Sequence, residues 1–269
     1  MRTDYNKQDS FFFRFPDPLL SGRIQQRYKR FLADIKLDNG QIVTCHVANS
    51  GSMKTCWEPG ARAVVTHQTG NHGRKLKYSL QAVQMPDGWV GVNTMNPNKV
   101  VAGAISSGVI RELTGYKFMQ TETMVQAGSR FDIALFAEMP ESGSIVKMNP
   151  KRITAIGQSS GKRVDTCIVE VKNATLLEKN GVIFPDAKTE RGQKHLKHLM
   201  EMKLLGYRTI ILFFAGRTGA KWVGPADEID PEYGKLLRQA VKSGVEALAL
   251  EVKVNEKGLA IVGSIPLKL

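Results

Sequence analysis

The chain opens its first third with short apolar runs separated by turn residues. From Arg23 to about Asn93 the runs Ile24–Leu37, Gln41–Val47, Ala61–His67, Lys75–Met85 and Trp89–Val92 are rich in β-branched and aromatic residues. Runs of that length and composition predict strands rather than helices. Asp38-Asn39-Gly40, Pro59-Gly60, Gly70–Gly73 and Pro86-Asp87-Gly88 supply the turns between them. Strands so short and so closely spaced suit a small closed barrel of the OB type. Residues 1–22 precede the barrel as an irregular extension carrying Pro16 and Pro18.

Near residue 95 the pattern changes. Asn96 to Leu113 has helical spacing, with Asn96 as N-cap and Pro97 at the first helical position. Strands follow near Lys117–Val125, Arg130–Phe136, Thr166–Lys172 and Gly181–Phe184. Then come a helix over Lys188–Leu205, a strand over Thr209–Phe214, a helix over Pro231–Ser243, and strands at Ala247–Val254 and Ala260–Val262. Leu196, Leu199, Met200 and Leu204 give the first of these late helices one apolar stripe. Alternation of this kind predicts a central sheet with helices on both faces. The fold class expected is therefore α/β (α+β overall): a barrel over 23–95, then an α/β domain over 96–269. Within that domain, 138–163 forms a long Gly/Ser/Lys-rich loop. Its Lys147, Lys151, Arg152, Lys162 and Arg163 read either as a solvated insertion or as a contact for a phosphate backbone.

Charge changes the picture next. The net charge is +13, and the isoelectric point is about 9.7. Residues 1–95 carry 13 basic and 7 acidic side chains and the remainder 25 and 18, so the excess is no basic tail. A polyanionic partner is expected, because cations that neutralise phosphates gain affinity through counterion release. DNA is the favoured partner, with RNA an open alternative. Cys45, Cys56 and Cys167 are scattered and odd in number; they form no disulfide framework and fit a reducing cytoplasm. No run reaches the roughly 18–20 apolar residues of a membrane span, and Phe11-Phe12-Phe13 lacks the flanks of a signal peptide. No glycine-rich nucleotide loop or organic-cofactor motif stands out.

Candidate chemistry lies in two strands. Ser129-Arg130-Phe131-Asp132 opens one apolar run, and Glu170-Val171-Lys172 closes another. Alternation on a strand puts Glu170 and Lys172 on one face. Two carboxylates suit a hard divalent cation, Mg²⁺ or Mn²⁺, and a lysine beside them can orient a water or neutralise phosphate charge. Two basic segments suggest contacts to the polyanion. In the barrel, Arg27, Tyr28, Lys29 and Arg30 interleave cations with an aromatic ring, followed by Phe31; one of the two rings is expected in the barrel core. At the start of the 188–205 helix, Lys188, Arg191 and Lys194 gather where free N–H groups also favour anions. Asp186 or Thr189 can cap that start. His195 and His198 are candidate metal ligands without an evident third.

Longer blocks carry a resemblance. Arg27 to Asp34, His46 to Met53, Val92-Asn93-Thr94, Ser129 to Asp132, Glu170 to Leu176, and Phe184 to Ala187 followed by Thr189 to Leu196 are similar to the sugar fermentation stimulation protein A family. The resemblance covers nearly the whole chain from Arg23. It implies an N-terminal OB-like domain and a C-terminal domain like the PD-(D/E)XK nucleases. It also implies DNA binding with little sequence preference and a regulatory role in sugar (maltose) metabolism. The nuclease pattern falls on Asp132, Glu170 and Lys172. By the same resemblance an upstream glutamate helps hold the metal, Glu112 and Glu122 being candidates and Glu122 favoured for its adjacent strand. Gln193 matches a helix-borne glutamine. His46-Val47-Ala48-Asn49-Ser50 departs from the family's His-Cys-Pro-Asn-Thr. Two functional classes remain, a DNA-binding protein on a nuclease-like scaffold and an active Mg²⁺-dependent nuclease; no helix-turn-helix signature favours operator reading.

Overall fold

The computed structural model describes residues 10–69, 75–125, 130–139, 146–147, 153–155 and 166–269. Ser129, Lys151, Arg152, Lys162 and Arg163 lie outside the described residues, as does the side chain of Lys147.

The N-terminal half is built from β1 (Phe11–Arg14), β2 (Leu19–Tyr28), β3 (Leu32–Leu37), β4 (Ile42–His46), β5 (Arg62–His67), β6 (Tyr78–Met85) and β7 (Gly88–Gly91). β2 pairs with β3 and β5, β3 with β4, and β5 with β6; a parallel contact of β4 with β6 at Cys45–Tyr78 closes the ring. The result is a closed five-stranded barrel of OB type. Alternating residues fill it, among them Ile24, Ile35, Val43, Val65 and Leu80. A register shift pairs Val64 with Ala82 and Val65 with Leu80, so Gln81 is left out of the ladder.

Two expectations are corrected here. Ile24–Leu37 is not one strand: Lys29 and Arg30 take φ of +47° and +63° and turn the chain between β2 and β3. That left-handed pair costs energy in residues with a Cβ. It is held by the Arg27 guanidinium, which donates to the Arg30 carbonyl at 2.7 Å. Nor are the described residues before 23 irregular throughout. β1 pairs antiparallel with the last strand of the chain, and β2 already begins at Leu19.

The second half contains α1 (Pro97–Ser106), β8 (Phe118–Val125), β9 (Arg130–Phe136), β10 (Val146–Lys147), β11 (Ile153–Ala155), β12 (Thr166–Ala174), β13 (Leu176–Glu178) and β14 (Gly181–Phe184). It continues with α2 (Glu190–Leu204), β15 (Arg208–Ala215), β16 (Val223–Pro225), α3 (Pro231–Lys242), β17 (Glu246–Asn255) and β18 (Gly258–Ser264). The large sheet runs β1-β18-β17-β15-β12-β9-β8-β10, with β11 also on β8. Its centre, β12-β15-β17, is parallel. As the strand–helix alternation predicts, both faces are covered. Val100, Val101 and Ile105 of α1 pack with Val169, Val171 and Leu212 on one face. Leu196 and Leu199 of α2 and Leu237 of α3 pack with Ile168, Ile211 and Phe213 on the other.

The helices differ in detail from the sequence reading. α1 stops at Ser106 because Gly108 turns left-handed (φ +71°); a single 3₁₀ turn at Arg111–Leu113 follows. Asn96 precedes α1, but its side chain makes no cap bond; it donates to Gln81 instead, at 2.9 Å. On α2 the apolar stripe uses Met202, not Leu204, which is 86% exposed. Neither Tyr28 nor Phe31 belongs to the barrel core; the Tyr28 hydroxyl donates to Asp34, and Phe31 is exposed.

The two halves are joined along β7 and the turn after β15. Gly91 N–H donates to Gly216 O at 2.8 Å, and Thr218 N–H donates to Trp89 O at 2.9 Å. Arg217, 2% exposed, anchors the seam. It grips Asp87 of the barrel side bidentately and donates to the carbonyls of Thr55 at 2.8 Å and Thr175 at 3.3 Å. Removing a buried guanidinium strands its partners. Arg217→Met is expected to lower stability by about 3 kcal/mol in urea unfolding. A midpoint unchanged from wild type would show that the seam does not depend on it.

Candidate functional site

β9 and β12 set the geometry of the cleft. Their ladder ends at Ile133–Val169, whereas β12 stays paired with β15 through Ala174. Past that point the Val171 N–H has no β9 partner and donates to Asp132 Oδ2 at 2.9 Å. Asp132 Oδ1 accepts from Asn98 Nδ2, at the start of α1, at 2.7 Å. The aspartate thus takes the place of a strand where the sheet splays, with both oxygens fixed.

Val169 and Val171 enter the core beneath α1, so Glu170 faces α2. Its carboxylate is 2% exposed. Oε1 accepts from Lys172 Nζ at 2.7 Å and is bonded to His195 Nδ1. Lys172 and His195 also touch, at 3.3 Å. Oε2 is buried without a protein partner. Burial drives the Glu170 carboxyl upward, but Lys172 and His195 outweigh it and hold the group below the usual carboxylate range. Asp132 moves the other way: burial, then the charge of Glu170, raise its carboxyl. Neighbouring carboxylates pushed apart in this way mark a candidate functional site.

Around them opens a cleft of about 520 Å³ between the two domains. The barrel contributes Arg30 and the Asn49-Ser50-Gly51 loop; the other wall contributes Asp186, Lys188, Arg191 and His195. Asp186 accepts from Met53 N–H at 3.3 Å. A Cβ on Gly51 would lie 2.1 Å from its Oδ2, so only glycine admits that approach.

The residues expected from the sequence divide into two sets. Asp132, Glu170, Lys172, Arg30, Lys188 and Arg191 line one cleft. Glu122 does not: it is exposed, takes φ +49° and lies 3.9 Å from Arg130. The alternative, Glu112, sits on the 3₁₀ turn, also away from the cleft. Gln193 points away too, donating to both oxygens of Asp230, the N-cap of α3. Lys194 and Lys29 are exposed and outside the lining. Arg27 is committed internally, donating to the carbonyls of Arg30, Asn49, Gly51 and Ser52. Thr189, not Asp186, caps α2, accepting from Gly192 N–H at 3.0 Å.

His195 is the residue that sequence reasoning undervalued. It serves as a partner of Glu170, and His198 does not join it in the cleft. Helical spacing carried the signal: Arg191 and His195 are four apart and share one face, which Gln193 and Lys194 leave. Among the described residues no group of three His, Cys, Asp or Glu side chains is arranged to hold a metal. Among the described residues lining the cleft, the oxygens within a cation's choice include the unpartnered Glu170 Oε2 and Asn173 Oδ1, and those of Asp132. That set suits a hard ion that keeps several waters, as Mg²⁺ does.

Comparison with known proteins gives the ancestry. Residues 95–258 match the family model described as "Sugar fermentation stimulation protein RE domain", and residues 26–92 match "SfsA N-terminal OB domain". A sugar fermentation stimulation protein homolog from Geotalea uraniireducens is 41% identical over 256 residues, covering 95% of this chain and 100% of that one. The chain belongs to the sugar fermentation stimulation protein family. A Geobacter sulfurreducens homolog is 42% identical over 93% of this chain and 97% of its own length. Pyrococcus furiosus SfsA, solved in complex with Ca²⁺, shares the fold with a TM-score of 0.78 at 23% identity, covering 96% of this chain and 98% of that one. Among the described residues no helix is long and apolar enough to cross a membrane.

The His195 contact has a pH signature. It helps to depress the Glu170 carboxyl, so its stabilisation is present above the ordinary carboxylate range. It is lost as pH falls through the lowered value. His195→Ala is expected to cost about 1–3 kcal/mol at neutral pH, and the cost should shrink as the medium becomes acid enough to protonate Glu170. Urea midpoints of both proteins across pH check this; a difference independent of pH would contradict it.

Proposed function

We propose that this protein binds DNA with little sequence preference and that the cleft hydrolyses phosphodiester bonds with the help of a divalent cation. The observation that carries the reading is the convergence of Asp132, Glu170 and Lys172 in one polar cleft, with Glu170 Oε2 buried and lacking a partner. Buried carboxylate oxygens without donors are costly, and a cation would satisfy this one. Arg30, Lys188 and Arg191 on the rim, with the net charge of +13, suit a phosphate backbone. The Ca²⁺ complex of the Pyrococcus furiosus relative supports an oxygen-seeking ion.

Asp132 and Glu170 would hold Mg²⁺ or Mn²⁺. The chemistry such an ion supplies is charge neutralisation at phosphate and a bound water of lowered pKa. The protein's own groups do the rest. Arg30, Lys188 and Arg191 hold the backbone across the opening. The Lys172 ammonium, kept beside Glu170 and His195, aims positive charge at the oxygens where negative charge grows during hydrolysis. A regulatory role in sugar metabolism, which the family likeness implies, would act through the same DNA contact.

Binding without cleavage is a second reading. It is favoured by one observation: Lys172 already compensates the charge of Glu170 without any ion, and His195 bonds to the same oxygen. Incubating plasmid and single-stranded circles with the protein in Mg²⁺ or Mn²⁺ separates the two. Lys172→Met is expected to lower the cleavage rate about 10²–10³-fold and to leave DNA affinity nearly unchanged. Asp132→Asn should abolish the heat of Mn²⁺ binding in calorimetry. Cleavage by Lys172→Met at the wild-type rate would refute the assignment of the site. Absence of cleavage by wild type on every strand form would leave the binding reading. Affinity itself should fall steeply with salt; an affinity indifferent to salt would overturn DNA binding as well.

A further inference from the structure

A second recess, larger than the catalytic cleft at about 930 Å³, lies on the far side of the segment joining the two domains. Nothing in the reading above uses it. Its floor is polar and locked. Gln81, displaced from the ladder at the β6 bulge, accepts at Oε1 from Asn93 at 3.0 Å and Asn96 at 2.9 Å. Its Nε2 donates to Thr66 at 3.0 Å. One wall carries His67, whose ring stacks on Tyr78 at 4.6 Å and 17°. Met95, 62% exposed, supplies apolar surface, and Lys75 and Lys99 stand at the rim. Among the described residues lining the recess the one acid is Asp17, already paired with Arg14 at 3.4 Å.

The two recesses share their dividing wall. Along residues 93–99, Asn93, Met95, Asn96 and Lys99 line the second recess, and Thr94, Pro97 and Asn98 line the catalytic cleft. Ala48 lines the second and Asn49 the first. The Ala48–Thr94 ridge stands in that wall: Thr94 donates to the Ala48 carbonyl from N–H at 3.0 Å and from Oγ1 at 2.6 Å. A chain leaving the catalytic cleft over this ridge enters the second recess.

We propose that the second recess is a nucleobase-binding subsite, and that the protein's substrate is single-stranded nucleic acid running from the catalytic cleft over the Ala48–Thr94 ridge. The inference rests on the nucleic-acid reading above and names its substrate class. A backed imidazole ring with apolar surface beside it is a stacking platform, and stacking tolerates any base. The rim lysines meet phosphates. A base can enter such a recess only when it is free of a duplex stack. The fixed carboxamide floor keeps the recess open before any ligand arrives.

Fluorescence anisotropy with labelled single strands tests this, with Ca²⁺ in place of Mg²⁺ to suppress cleavage. One strand of about twelve nucleotides spans both recesses, within the range that OB domains cover; one of about three occupies the catalytic cleft alone. His67→Ala with Lys99→Ala is expected to weaken the long strand about tenfold or more and to leave the short one unchanged. Lys99→Ala alone should reduce the slope of log affinity against log salt by about 0.7. The wild-type protein should cross-link a strand carrying 5-iodouracil at residues 66–69 or at Asn93, Met95, Asn96 or Lys99, a result that needs no variant to fold. Equal weakening of long and short strands, or cross-links confined to the catalytic cleft, would overturn the subsite while DNA binding stands. Failure of wild type to bind either strand at low salt would overturn the nucleic-acid reading itself.

Discussion

The guanidinium of Arg217 fixes one domain against the other. A buried arginine must spend its donors, and this one reaches a carboxylate and a carbonyl on the barrel side and a carbonyl on the sheet side. Because these partners belong to both halves, the halves cannot slide without stranding a charge. Everything between them inherits that precision: the 49–51 loop sits where Asp186 can meet it, and the Arg30 turn stands over the cleft.

Within that frame Glu170 is the second constraint. A carboxylate at 2% exposure in the middle of a sheet is tolerable only with cations beside it. Lys172 supplies one from the same strand and His195 meets it from α2. Both serve one oxygen and leave the other without a partner. An arrangement tuned for stability alone would satisfy both. Local cost of this kind, in a sheet with a well-packed core on each face, is where a functional site is sought.

The barrel supports the cleft by a different route. Arg27 turns inward and draws four carbonyls together, and this stabilises the left-handed pair Lys29–Arg30. One arginine of the basic segment is thus consumed as a strut so that another can face the opening. Basic residues adjacent in sequence therefore have unlike roles, and net charge cannot tell them apart.

Much of this protein was legible in its sequence. Periodicity placed most strands and the two later helices within a few residues, because burial on a sheet or helix face imposes its period directly on the chain; the first helix, expected to run to Leu113, ends at Ser106. Alternation alone put Glu170 and Lys172 on one face, and the motif blocks carried the family. What the sequence left open depends on contacts far apart along the chain. That β1 joins the sheet is decided by its partner β18 at the other end. The break at Lys29–Arg30 has no glycine or proline to announce it, since Arg27 supplies the compensation from the side. Glu122 and Gln193 have suitable chemistry at suitable spacings, yet a left-handed backbone at one and the charge of Asp230 at the other turn them elsewhere. Local pattern determines which way a side chain faces its own element; only the packing of elements against each other decides which facing groups meet.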